Sequence, residues 1–204
     1  MPNIENKSEI LENIMDKANK SIKEVSSALN CLIEIISYSI SSGEEINISN
    51  WFFEERLTQM IAELSRYKKS IALLQINIDN FKVINDTYGH GFGDKLLNAI
   101  TLRLKTVLRA IDTLSRFGGD GFVVITNAFS DKDELQKLSE RLLASIKESF
   151  FINDIEVKIT ASIGVAYATV SSTRDDLYKA SGEALYKSKS TGKNTYTILN
   201  CSRL

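Results

Sequence analysis

One proline, one histidine, one tryptophan and two cysteines stand in 204 residues, and neither sign of charge dominates: 25 Lys and Arg face 26 Asp and Glu. Each scarcity closes off a class of protein. Cys31 and Cys201 lie far apart in a chain with a single histidine, His90. They make neither a disulfide framework nor a Cys/His zinc site, so both thiols are expected to be buried or idle. A net charge of -1 gives no general attraction to nucleic acid or to an anionic membrane. Nucleic acid is therefore not an expected partner, and any recognition of phosphate falls to local basic clusters. No apolar run reaches the roughly 18 residues of a membrane span, and the acidic, polar start differs from a signal peptide. The expectation is a cytoplasmic protein without a membrane span.

What the chain has in quantity is periodicity. Leu11, Met15, Ala18, Ile22, Val25, Leu29, Leu32 and Ile36 alternate steps of four and three, a heptad seam that Ile33, Ile35 and Ile40 widen. The spacing predicts a long helix within residues 1–48, ending near Ser41-Ser42-Gly43. A helix packed on its own domain and a parallel coiled coil both fit that pattern; a homodimer is the expectation adopted. A second helix is predicted with Ser49 or Asn50 as N-cap and Phe53, Leu57, Met60, Ile61 and Leu64 facing inward. Strand and helix then alternate. "SIALLQINID" reads as a strand and "KLLNAITLRLKTVL" as an amphipathic helix. "TLSRF" and "FVVIT" flank Gly118-Gly119 as a hairpin whose two glycines supply positive φ. "DELQKLSERLLASIKESF" reads as a helix, "VKITASIGVAYA" as a strand, "RDDLYKASGEALYKSKS" as a helix with Leu185 and Tyr186 in the core, and "TYTIL" as a closing strand. Residues 49–204 are thus expected to form one α/β (α+β) domain, a mixed sheet with helices packed on it.

Four stretches occur in a telling order: "NIDNFKVINDTYGHGFGDKLL" (77–97), "RAIDTLSRFGGDGF" (109–122), "ASIGVA" (161–166) and "GEALYKSKSTGKN" (182–194). On these the chain, from about Phe53 to Leu199, resembles the GGDEF family of diguanylate cyclases. The resemblance implies a central sheet wrapped by helices, similar to the palm of adenylyl cyclases. It also implies dimers whose half-sites each bring GTP and a divalent metal to make cyclic di-GMP. Attack of a ribose hydroxyl on an α-phosphate needs metal held by carboxylates. Where the family has its first acid this chain has Asn77, and its glycine turn keeps Asp120 but has Gly121 at the fourth position. An amide oxygen brings no charge to a metal and glycine brings no ligand. The entry stretch "SGEEINIS" and Gly182, where the family carries an acid, depart as well.

Two further sets are implied by the resemblance. For GTP, they are Asn85 and Asp94 at the guanine, backbone amides of Phe81 and Lys82 at the phosphates, and Lys189 and Lys193 at the triphosphate. For cyclic di-GMP, they are Arg109 and Asp112, an R-x-x-D five residues before Gly118, with Arg141 on the next helix and off register by one. Arginine suits that task, since its planar fork both bonds and stacks on a base. His90 is read as structural, and Asp131, Asp133 and Glu134 as a helix start.

The expectation is a catalytically degenerate domain that binds cyclic di-GMP and signals to an effector protein through dimer or protein contacts. It requires no cofactor, with Mg²⁺ only if GTP is bound. The alternatives are a low-activity or conditional diguanylate cyclase using Asp79 and Asp120 with metal, a GTP-sensing module, and a nucleotide-free dimerisation scaffold.

Overall fold

The computed structural model describes residues 48–67, 70–127, 129, 131–168 and 172–201. The heptad helix, its cap at Ser41-Ser42-Gly43 and Cys31 lie outside the described residues. The chain divides into two units, Met1–Ile48 and Ser49–Leu204, and all the described residues but Ile48 belong to the second.

Five helices and seven strands make up the described chain: α1 (Ile48–Tyr67), β1 (Ile71–Ile78), α2 (Phe81–Tyr88), α3 (His90–Val107), β2 (Thr113–Arg116), β3 (Gly121–Asn127), α4 (Lys132–Lys147), β4 (Phe150–Ile152), β5 (Ile155–Val157), β6 (Ala161–Ala168), α5 (Arg174–Ser190) and β7 (Tyr196–Asn200). The sheet runs β2-β3-β1-β6-β7 and is antiparallel except for the parallel pair β6 and β7. Strand alternation sorts its residues between two cores. Ala72, Leu74, Ile76 and Ile78 of β1 join Leu96, Leu97 and Ile100 of α3 and Leu135, Leu142 and Ile146 of α4. Ile71 and Leu73 turn the other way, to Phe53, Leu57, Met60 and Leu64 of α1 and Leu177 and Ala180 of α5. The sheet is thus covered on both faces.

Side chains fix both ends of α4 and the start of α5. Asp131 caps α4 by accepting from the Glu134 amide at 3.1 Å. At the other end Arg103 of α3 donates to the carbonyls of Ser145, Glu148 and Ser149 at 3.1, 2.8 and 2.9 Å, and lies 3.5 Å above the Phe150 ring. One guanidinium therefore satisfies three carbonyls around the helix C-terminus. Thr173 and Asp176 form a reciprocal capping box on α5.

Several expectations need correcting. α1 is already helical at Ile48, ahead of the predicted cap. Of the hairpin glycines only Gly118 has positive φ, at 75°. The predicted helix 133–150 ends at Lys147, and its last residue Phe150 opens β4, which pairs with β5 around Asn153 and Asp154 at φ 49° and 65°. The predicted strand 157–168 accordingly begins at Ala161. Tyr186 is 73% exposed and not core, because the buried stripe of α5 runs through Leu177, Ala180, Ser181, Ala184 and Ser188.

Candidate functional site

Asn77, the penultimate residue of β1, and Gly121, the first of β3, are direct cross-strand partners. The two positions at which the resemblance leads one to expect acids therefore face each other at one end of the sheet. The Ile78 amide donates to the Asp120 carbonyl at 3.1 Å, and the Phe117 amide donates to the Gly121 carbonyl at 2.9 Å, closing the glycine turn. A β-carbon at Gly121 would overlap the Phe117 carbonyl oxygen, which is backbone and cannot swing aside. The turn is built for a residue without a side chain.

Asp79 is 5% exposed and spent on structure. Its Oδ2 accepts from the Thr160 hydroxyl at 2.7 Å and the Asn194 amide at 3.1 Å, and its Oδ1 accepts from the Ser162 hydroxyl at 2.7 Å. It ties the ends of β1 and β6 to the loop before β7. With a neutral amide at 77, no side chain at 121 and Asp79 engaged, Asp120 is the carboxylate left in the glycine turn, and one carboxylate does not make a divalent-metal site. Among the described residues no three His, Cys, Asp or Glu side chains are placed to hold one.

The residues expected to meet GTP are dispersed over α2, α3, the end of α5 and the loop before β7. Asn80, in left-handed conformation at φ 56°, precedes Phe81 and Lys82 at the start of α2, and its Oδ1 accepts from the Lys193 ammonium at 2.7 Å. Phe81 is buried and Lys82 exposed. Asn85 lies against Gly93, where a β-carbon would overlap its Oδ1, and that oxygen is buried without a hydrogen-bond partner. Asp94 is exposed and lies 3.9 Å from Arg116, which donates to the Gly119 carbonyl at 2.9 Å. Lys189 is exposed in the last turn of α5, and His90 is exposed at the start of α3.

Arg109, Asp112 and Arg141 converge. All three line one cavity of about 200 Å³ between the loop before β2 and α4, together with Phe129, Glu134 and Lys137. Asp112 Oδ2 accepts from the Arg109 amide at 2.8 Å, while its Oδ1 is buried and has no hydrogen-bond partner. Arg141 donates to the Val107 carbonyl at 2.8 Å, and Arg109 lies 3.6 Å from the Glu134 carboxylate. Arg141 reaches the cavity because α4 presents positions 134, 137, 138 and 141 along one face. Sequence reading took Glu134 only as part of a helix start; its helical spacing from Arg141 was the signal that placed it at the cavity.

Tyr178 of α5 connects the sheet end to α1. Its ring lies 6.2 Å from that of Phe117 in the glycine turn, and its hydroxyl donates to Glu54 at 2.7 Å. Glu54 also accepts from Arg174 at 3.2 Å. Burial, reinforced by Glu54, holds the Tyr178 phenol well above its ordinary range. Burial likewise pushes the Cys201 thiol up to about 11, in keeping with an idle cysteine.

The model of the family described as diguanylate cyclase, GGDEF domain, matches residues 47–195. A second model, described as bacterial DNA-binding protein, matches residues 5–56. The bifunctional diguanylate cyclase/cyclic di-GMP phosphodiesterase MucR of Pseudomonas aeruginosa is 37% identical over 73% of this chain and 22% of its own. Diguanylate cyclase A of Treponema denticola is 31% identical over 93% of this chain and 50% of its own. The chain thus spans half or less of these two relatives' lengths. Among solved structures, the isolated GGDEF domain of TpbB (YfiN) from Pseudomonas aeruginosa superposes with a TM-score of 0.68 at 27% identity, over 72% of this chain and 87% of that one.

Proposed function

The chain belongs to the diguanylate cyclase GGDEF domain family, and from that premise we propose that it is a catalytically degenerate member that acts as a receptor for cyclic di-GMP. The observation that carries this reading is the convergence of Arg109, Asp112 and Arg141 on one cavity, with a buried Asp112 oxygen that lacks a hydrogen-bond partner. A buried acceptor without a donor costs free energy, and the N–H edge of guanine supplies the donors that relieve it. The two guanidiniums offer bonds to phosphate and stacking to the base.

Loss of turnover rests on the opposite corner. Asn77 and Gly121 bring no charge to each other or to a metal, and Asp79 is consumed by hydrogen bonds. Phosphoryl transfer between two GTP molecules has no carboxylate set to support it there. Output then runs through protein contacts to an effector, with the homodimer as the expected signalling unit. DNA is not the proposed partner: residues 1–47 carry four lysines against eight acidic residues, the wrong balance for neutralising phosphates.

Calorimetric titration of nucleotide-stripped protein with cyclic di-GMP tests the reading. Saturable binding of micromolar or better affinity, lost in Arg109→Ala and weakened in Asp112→Asn, is the expected result. Absence of heat from the unaltered protein would overturn it. A second reading, GTP sensing, is favoured by one observation, the unpartnered buried oxygen of Asn85 beside Gly93. Titration with GTP, compared between the unaltered chain and Asp94→Ala, separates the two.

A further inference from the structure

Resting on the receptor reading, we infer that Glu134 is a built-in competitor for the ligand's phosphates and filters ligands at this cavity by their charge. Glu134 and Arg109 both line it, and the Glu134 carboxylate lies 3.6 Å from the guanidinium that an anionic ligand has to engage. The pair is partly exposed, at 57% for Arg109 and 36% for Glu134, so the contact is weak enough to be displaced. Arg141 is tied to the Val107 carbonyl and Asp112 to the Arg109 amide, which leaves the Arg109–Glu134 contact as the described ion pair a ligand must open. The charges lining the cavity are Arg109, Lys137 and Arg141 against Asp112 and Glu134, nearly balanced before any ligand arrives.

The chemistry of the filter is simple. A cyclic dinucleotide carries one negative charge per phosphodiester, whereas a nucleoside triphosphate carries more charge concentrated on one end. A fixed carboxylate within reach of the phosphates penalises each ligand in proportion to its charge, so it disfavours the triphosphate more. Neutralising Glu134 both frees Arg109 and removes that penalty. The site then binds cyclic di-GMP more tightly and discriminates less well against GTP.

The test compares the full chain with Glu134→Gln, Arg109→Ala and the double variant, titrated with cyclic di-GMP and separately with GTP. Glu134→Gln is expected to bind cyclic di-GMP about twofold to fivefold more tightly at low salt, with the gain shrinking as salt screens the partly exposed charges. Its gain for GTP at this cavity is expected to be larger. In the Arg109→Ala background cyclic di-GMP binding is expected to stay lost whether or not Glu134 is changed, because relieving a competitor does not replace the guanidinium. Equal affinities of the unaltered chain and Glu134→Gln would overturn the filter and leave the receptor reading standing. Absence of binding by either protein would overturn the receptor reading, and the filter with it. A melting curve unchanged between the two keeps a folding defect from imitating either result.

Discussion

Asn77 and Gly121 change the electrostatics and the backbone of the sheet end together. Two acids across from each other repel unless a cation sits between them; an amide and a hydrogen do not. Gly121→Glu is therefore expected to cost stability, because its β-carbon meets the Phe117 carbonyl oxygen, and to yield no product from GTP. Thermal melting and a product assay on Gly121→Glu and on Asn77→Asp/Gly121→Glu check both halves; a double variant as stable as the parent would show that the turn relaxes freely. Gly182 is the converse case. It lies inside α5, and a β-carbon there meets only the Gln75 side chain, at 3.9 Å, an ordinary contact. Gly182→Ala is expected to stabilise the protein by about 0.5 to 1 kcal/mol, read as a higher melting temperature. Motif register in the sequence singled out Asn77, Gly121, Arg109, Asp112 and Arg141, and the fold pairs the first two across strands and lines one cavity with the other three. It did not reveal that Asp79 is spent on Thr160, Ser162 and Asn194, because those partners are some eighty residues or more away and only the fold brings them together.

At the scale of elements, side chains at the ends of α4 and α5 can be tested one by one. Arg103 holds the C-terminal carbonyls of α4 and stacks on Phe150, so Arg103→Ala is expected to cost at least about 2 kcal/mol, measured by chemical denaturation. Thr173→Ala removes the cap of α5 at a cost of about 1 kcal/mol. The same box gives a pH dependence. Hydrogen bonds from the Thr173 backbone and side chain hold the Asp176 carboxyl below its ordinary value. A depressed folded value means that the stabilisation is fully present above the ordinary carboxylate range and is lost as pH falls through the folded value. Asp176→Asn should therefore flatten the acid limb of the stability profile. The long periodic helices and the apolar strands were legible in the sequence because one face of each is continuous. α2 and the β4–β5 hairpin were not, since eight residues and two runs of three carry too little periodicity. The Asn153-Asp154 pair, well suited to a two-residue turn, was the available sign of the hairpin.

For the whole molecule, the two faces of the sheet serve different ends. One side joins α1 and α5 to the glycine turn through Glu54, Tyr178 and Phe117; at the outer side of the sheet, the loop before β2 and α4 enclose the Arg109 cavity. A ligand that binds only the folded chain stabilises it by mass action. At a concentration about 100 times its dissociation constant, cyclic di-GMP is expected to add about 2.7 kcal/mol, which for a domain of this size raises the melting temperature by about 5 to 10 °C. No shift in the unaltered chain, alongside an equally flat response in Arg109→Ala, would argue against the receptor. The alternation of strand and helix made the α/β architecture readable, whereas the strand order β2-β3-β1-β6-β7 is a property of the folded chain alone. The closed turn at Gly121 also sets what placing an acid there requires. A single change of codon at 121 cannot recover an acid without moving the Phe117 carbonyl, and it would still face the amide of Asn77. Two coupled changes and a backbone shift, not one substitution, therefore separate this corner from a pair of opposed carboxylates.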